Sequence, residues 1–152
     1  MKKIYFLFVL TFLHSCSSVV PELTASQIKI MTTKQYDTGK EMVFKSSISL
    51  LQSEGYLIEN ANTETGLINA YKRIEVSRKL SRKSKATFYV EEFNSALTEV
   101  KITFYEGTIA IKNDGYSKRA EEKESMLKTP DIYNSWFNNL RAEIERRKAL
   151  TK

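Results

Sequence analysis

From Ala86 through Tyr105 the chain reads ATFYVEEFNSALTEVKITFY, and this stretch decides the fold class. Phe88 and Val90 alternate with Tyr89 and Glu91; Val100, Ile102 and Phe104 alternate with Glu99, Lys101 and Thr103. A period of two in aromatic and β-branched residues marks a half-buried strand. Asn94-Ser95 between the runs supplies a turn. The stretch therefore predicts two antiparallel strands with one apolar and one polar face. An apolar sheet face must be covered, and two segments have the helical period to cover it. Val43, Phe44, Ser47, Ile48 and Leu51 form one stripe, stopped by Gly55. Tyr133, Trp136, Phe137, Leu140 and Ile144 form the other. Thr129-Pro130-Asp131 opens that second helix, and Arg146, Arg147 and Lys148 suit its C-terminal dipole.

Working outward, Ile28 and Ile30 alternate with polar residues, so Gln27 to Tyr36 reads as a further strand. Asp37 and Thr38 are the N-cap candidates for the helix that follows. Tyr56 to Ala61 and Leu67 to Ile74 form a hairpin around Glu64-Thr65-Gly66. Leu97 to Lys112 continues as a strand in which Gly107 marks a bulge, and Asn113-Asp114-Gly115 is a tight hairpin signal. Tyr116 to Lys128 is either an edge strand or a loop. The predicted order is β-α-β-β-β-β-(β)-α. That is an α+β two-layer sandwich, an antiparallel sheet of four to six strands with two helices on one face.

The chain has 152 residues, 41% hydrophobic and 28% charged, which predicts one domain with a packed core. Its N-terminus carries an address. Lys2 and Lys3 precede an apolar run from Ile4 to Leu13. That run is shorter than the ~20 residues a spanning helix needs and suits a secretory signal. Leu13-His14-Ser15-Cys16 then resembles a bacterial lipobox. The expectation is a signal peptide over residues 1–15, a lipidated tether over 16–26 and a single α+β domain over 27–150. Acyl chains on Cys16 would hold the protein to a membrane. The resemblance to enterobacterial lipoproteins implies that Ser17, a residue other than Asp after the Cys, directs the protein to the outer membrane, facing the periplasm. Processing removes His14 and consumes the Cys16 thiol. The mature chain is then expected to have no Cys-His or Ser-His-Asp catalysis, no His-ligated metal and no cofactor.

Loss of Lys2 and Lys3 lowers the formal net charge from +6 to +4. Between Lys72 and Lys85 stand seven cations against Glu75 alone, a net +6, so the remainder of the mature chain is −2. The segment reads either as a flexible hairpin tip or as a plain solvated loop. As a tip, Arg78, Lys79, Arg82 and Lys83 would touch anionic lipid, lipopolysaccharide phosphates or an acidic partner. Ile74, Val76 and Leu80 are too few for deep insertion. Two further constellations carry chemistry. Glu91 and Glu99 can face each other across a hairpin as a carboxylate pair, although solvated sheet carboxylates are commoner. Tyr71, Tyr89 and Tyr105 can share a sheet face. The envelope address excludes nucleic acid there and leaves a sugar- or peptide-binding surface or cross-strand packing.

Several motifs together resemble a group of small bacterial envelope lipoproteins. They are Gln35-Tyr36-Asp37-Thr38, Leu51-Gln52-Ser53-Glu54-Gly55-Tyr56-x-Ile58, Gly66-Leu67-Ile68-x-Ala70-x-Lys72 and Asp131-x-Tyr133-x-x-Trp136-Phe137-x-x-Leu140. The architecture of that group is similar to the domains of the lipoprotein C subunit of the outer-membrane β-barrel assembly machine. The resemblance implies an α+β fold and a non-enzymatic, lipid-anchored accessory module, with an envelope complex as a partner; it transfers no activity. The basic segment is not a feature of the group. A binder or carrier of a small amphipathic or anionic ligand, and a carboxylate-dependent hydrolase, are the alternative expectations.

Overall fold

The stretch quoted first forms the centre of the sheet. The computed structural model describes residues 22–78, 80–94, 96–113 and 118–150, with side chains of 111–113 and 118–121 outside that description. The elements are α1 (Ala25–Thr32), β1 (Thr33–Tyr36), α2 (Lys40–Ser53), β2 (Leu57–Asn62), β3 (Leu67–Ser77), β4 (Leu80–Asn94), β5 (Leu97–Asn113), β6 (Lys118–Met126) and α3 (Pro130–Leu150). The six strands form one antiparallel sheet ordered β1-β5-β4-β3-β2, with β6 also pairing β5. The α+β class and the sheet are as the sequence predicts, with one helix more.

The extra helix replaces most of the first predicted strand. Thr24 and Gln27 form a capping box: the Gln27 amide donates to Thr24 Oγ1 at 3.3 Å, and the Thr24 amide donates to Gln27 Oε1 at 2.8 Å. Two orphan amides are thereby satisfied and a helix starts at Ala25, inside the stretch read as tether. Met31 and Thr32 are buried, whereas Ile30 is 70% exposed, so the apparent alternation of isoleucines has no buried face to serve. Strand pairing begins only at Thr33, opposite Lys101.

Asp37 and Thr38 do not cap α2; Gly39 takes the N-cap position without a side-chain bond. Thr38 is held otherwise, its carbonyl accepting from the buried Thr98 hydroxyl at 2.6 Å. At the other end Gly55, at φ +80°, completes a Schellman turn in which its own amide bonds Gln52 O and the Tyr56 amide bonds Leu51 O. Gly66, at φ +73°, lies so close to β4 that an added Cβ would collide with the Val90 carbonyl. Its own carbonyl accepts from the Val90 amide at 2.9 Å.

The core lies between one sheet face and the helix pair α2/α3. Phe88, Val90, Val100, Ile102 and Phe104 supply the sheet side; Val43, Leu51, Tyr133, Leu140 and Ile144 supply the helix side. Trp136 is half-buried and packs its ring against Tyr56, Phe88 and Phe104, with centroid distances of 5.8, 6.0 and 4.9 Å.

Tyr133 has a second task. β5 pairs β1 only up to Lys101 and meets β6 only from Tyr105, leaving a gap on one edge. The Tyr133 hydroxyl fills it, accepting from the Phe104 amide at 3.3 Å and donating to Leu127 O at 2.8 Å. Burial raises the pKa of that hydroxyl, so it stays protonated at neutral pH.

Candidate binding surface

Two hairpins run past the end of the helix layer. The β3–β4 ladder continues to Ser77 opposite Leu80, and the β5–β6 ladder to Asn113 opposite Lys118. The basic segment is therefore the end of a β3–β4 hairpin, and the reading of it as a plain solvated loop is corrected. β5 serves as a template for both hairpins, so residues that look like a charged linker find backbone partners on each side.

The strand period then divides the predicted binding residues between two faces. Arg78 lies at the exposed turn, and Lys79 lies outside the described residues. Arg82 pairs in register with Ile74 and Thr108, on the helix-side face. Lys83 points to the opposite, open face and is not free. Its ammonium donates to Glu122 at 2.9 Å, and Lys85 donates to Glu124 at 2.5 Å. Both bonds reach diagonally across β5 over Gly107, which has no side chain to block them. Register is continuous through Gly107, so the expected bulge is absent there. The bond to Lys83 lowers the Glu122 pKa, and the bond to Glu124 raises that of Lys85. Sequence reading missed this pairing because its acidic partners lie 39 residues downstream.

The open face also carries the three tyrosines. Tyr71, Lys85 and Tyr105 stand in one row across β3, β4 and β5, and Tyr89 lies four residues along β4 on the same face. Glu91 and Glu99 are directly opposite in register. Glu99 accepts from the Gln35 amide nitrogen at 3.1 Å, and the pair borders a 420 Å³ groove beneath α1. Among the described residues no group of three His, Cys, Asp or Glu is placed to hold a metal ion. No described helix is long and apolar enough to cross a membrane.

The helix-side face of the extension has a different character. Across β3 and β4 it presents Lys72, Ile74, Leu80, Arg82 and Ser84, with Val76 at a register shift between Glu75 and Ser77, and Glu106 of β5 stands opposite Ser84. Ile74 and Val76 are each 52% exposed and Leu80 is 37% exposed. A 480 Å³ concavity beside them is bordered by Arg82, Thr108 and Lys123 and by the carboxylates Glu106 and Glu124. The base of the extension is where the N-terminal chain enters. Glu22 pairs with Lys128 at 2.8 Å, one residue beyond Leu127, whose amide donates to Phe104 O at 2.9 Å.

A larger cavity of 940 Å³ opens between the start of α2 and the end of α3, with Met42, Phe44 and Leu150 among apolar lining groups and Lys40, Lys45 and Arg146 among cationic ones. These cations are engaged: Lys40 donates to Glu64 O, Lys45 to Glu41 and Arg146 to Glu143. No family model matches the chain, and no curated protein matches it.

Proposed function

We propose that this chain is a lipid-anchored, non-enzymatic accessory module of the bacterial envelope. In this reading Cys16 carries the acyl chains and the folded domain works by contact, assisting an envelope assembly from the periplasmic face of the outer membrane. The observation that carries the reading is the Leu13-His14-Ser15-Cys16 motif behind a short apolar run. The motif lies outside the described residues. What supports it from the fold is the fixed entry of the chain at Glu22, six residues after Cys16, beside a projecting hairpin rich in cations. The resemblance to envelope lipoproteins agrees with it at the level of architecture.

The test is the fate of Cys16. The native N-terminal peptide should carry the mass of a diacylglycerol thioether, and Cys16→Ala should leave an uncleaved or unanchored form. An unmodified Cys16 at the start of the native protein, or a Cys16→Ala protein that fractionates as before, refutes the reading.

A second reading rests on the 940 Å³ cavity, whose apolar lining groups suit a small amphipathic ligand. It requires such a ligand to be retained by the purified protein in native mass spectrometry.

A further inference from the structure

We infer that the helix-side face of the β3–β4 hairpin tip, with Ile74, Val76 and Leu80 beside Arg78 and Arg82, seats in the headgroup layer of the anionic phospholipid bilayer that holds the anchor. The inference deepens the lipid-anchored reading and rests on it for the identity of the surface.

Three observations converge on a bilayer as the occupant. The first is sidedness. In sequence the three apolar residues are scattered through a charge run, but pairing puts Ile74 and Leu80 on one face, beyond the cover of the helices, with Val76 exposed at the register shift between Glu75 and Ser77. An exposed apolar cluster flanked by cations matches the interface between acyl chains and headgroups. The second is charge. The lysines of the open face are neutralised within the molecule, Lys83 by Glu122 and Lys85 by Glu124. Arg82 and Arg78 make no ion pair among the described residues, and β3 and β4 put no carboxylate next to Ile74 and Leu80 on the helix-side face, where Glu106 of β5, opposite Ser84, is an acidic neighbour of Arg82. Arg82 thus displays its charge on the side that carries the apolar residues.

The third is reach. Six residues from Cys16 to Glu22 span at most about 20 Å. Glu22 pairs with Lys128, next to Leu127, whose amide bonds Phe104 O, and Leu80 pairs with Ala110, six residues farther along β5. At ~3.4 Å per residue that is also about 20 Å. A lipid on Cys16 and the hairpin tip can therefore meet one membrane plane. A tip seated there gives the domain a second attachment and a fixed orientation, with the tyrosine-bearing open face turned away from the bilayer.

The experiment uses the full lipidated protein in vesicles. With Cys16 consumed by lipid, Val76→Cys provides a single thiol for an environment-sensitive fluorophore, Leu80→Cys a second site, and Glu91→Cys a control on the opposite face. In vesicles containing phosphatidylglycerol the probes at 76 and 80 should shift to the blue and be quenched by headgroup nitroxides, while the probe at 91 stays aqueous. Arg78→Gln with Arg82→Gln should lower the ratio of seated to free tips by about 25-fold, from roughly fivefold per cation. Salt near 1 M, where the Debye length is about 3 Å, should release the tip in the same way. An aqueous probe at 76 and 80 overturns the inference. So does an equal shift at 91, an equal shift in purely zwitterionic vesicles, or a shift with lipopolysaccharide micelles but not with phosphatidylglycerol. Flotation with zwitterionic vesicles reads the anchor separately, so failure of the anchor and failure of the seated tip give different results.

Discussion

Replacing Tyr133 with Phe isolates the bridge that lets β5 change partners. The ring is fully buried and stays in place, so no cavity forms. Only the hydroxyl is lost, and with it the partner of the Phe104 amide at 3.3 Å and of Leu127 O at 2.8 Å. Each intramolecular hydrogen bond contributes ~1 kcal/mol net, and a buried backbone group left unpaired costs ~1–3 kcal/mol. The Leu127 carbonyl is half-shielded rather than sealed, so about 3 kcal/mol in all is expected for Tyr133→Phe. For a domain of this size that lowers Tm by roughly 10 °C. Urea unfolding with an unchanged m-value measures the loss. Amide exchange places it, because the Phe104 proton should lose protection while those of Val100 and Ile102 keep it relative to the new global stability. A Tm within about 2 °C of the native protein would mean that the hydroxyl is not bridging the ladder, and the account of the β1-to-β6 gap would fail.

Two further outcomes follow from the helix layer. Trp136→Ala removes the ring that Tyr56, Phe88 and Phe104 contact edge-on or tilted and should cost about 3 kcal/mol, the low end for a large aromatic because Trp136 is only half-buried. A melting change too small to resolve would reassign the face to an interaction surface. Glu143 is held by Arg146 through two 2.7 Å bonds and by Arg147 at 3.1 Å, and the first of these partners lowers its pKa to about 2. Its folded pKa lies below its unfolded value, so its stabilisation is complete above pH ~4.5 and is lost as pH falls toward 2. Glu143→Gln should therefore cost on the order of 1 kcal/mol at pH 7, after screening at the exposed arginines, and nothing near pH 2. Parallel stability curves for the two proteins across that window would contradict the assignment.

The strongest parts of the sequence were those where one local period answers one burial demand. Phe88, Val90, Val100, Ile102 and Phe104 alternate because one sheet face is packed, and all are buried. The stripe from Tyr133 to Ile144 repeats at helical spacing for the same reason, and Gly55 and Pro130 stand at helix ends because backbone geometry admits few other residues there. The α+β class, both long helices and the central hairpin are therefore legible from local pattern alone.

What tertiary structure decided lies where local signals compete or where partners are distant. Between Ala25 and Thr32 a capping box and an isoleucine alternation pointed to different elements. The helix prevailed because β5 offers β1 pairing only from Thr33 onward, while Met31 and Thr32 found burial among the helices. The run from Lys72 to Lys85 looked like a loop because charge repels and solvates. Two flanking ladders on β5, and acidic partners on β6, made it sheet. Pairing then imposed a period of two on a segment whose sequence displays none. That period sent Lys83 to one face and Arg82, with Ile74 and Leu80, to the other. Sidedness of this kind is a property of register, and register is fixed by the neighbouring strands rather than by the strand's own residues.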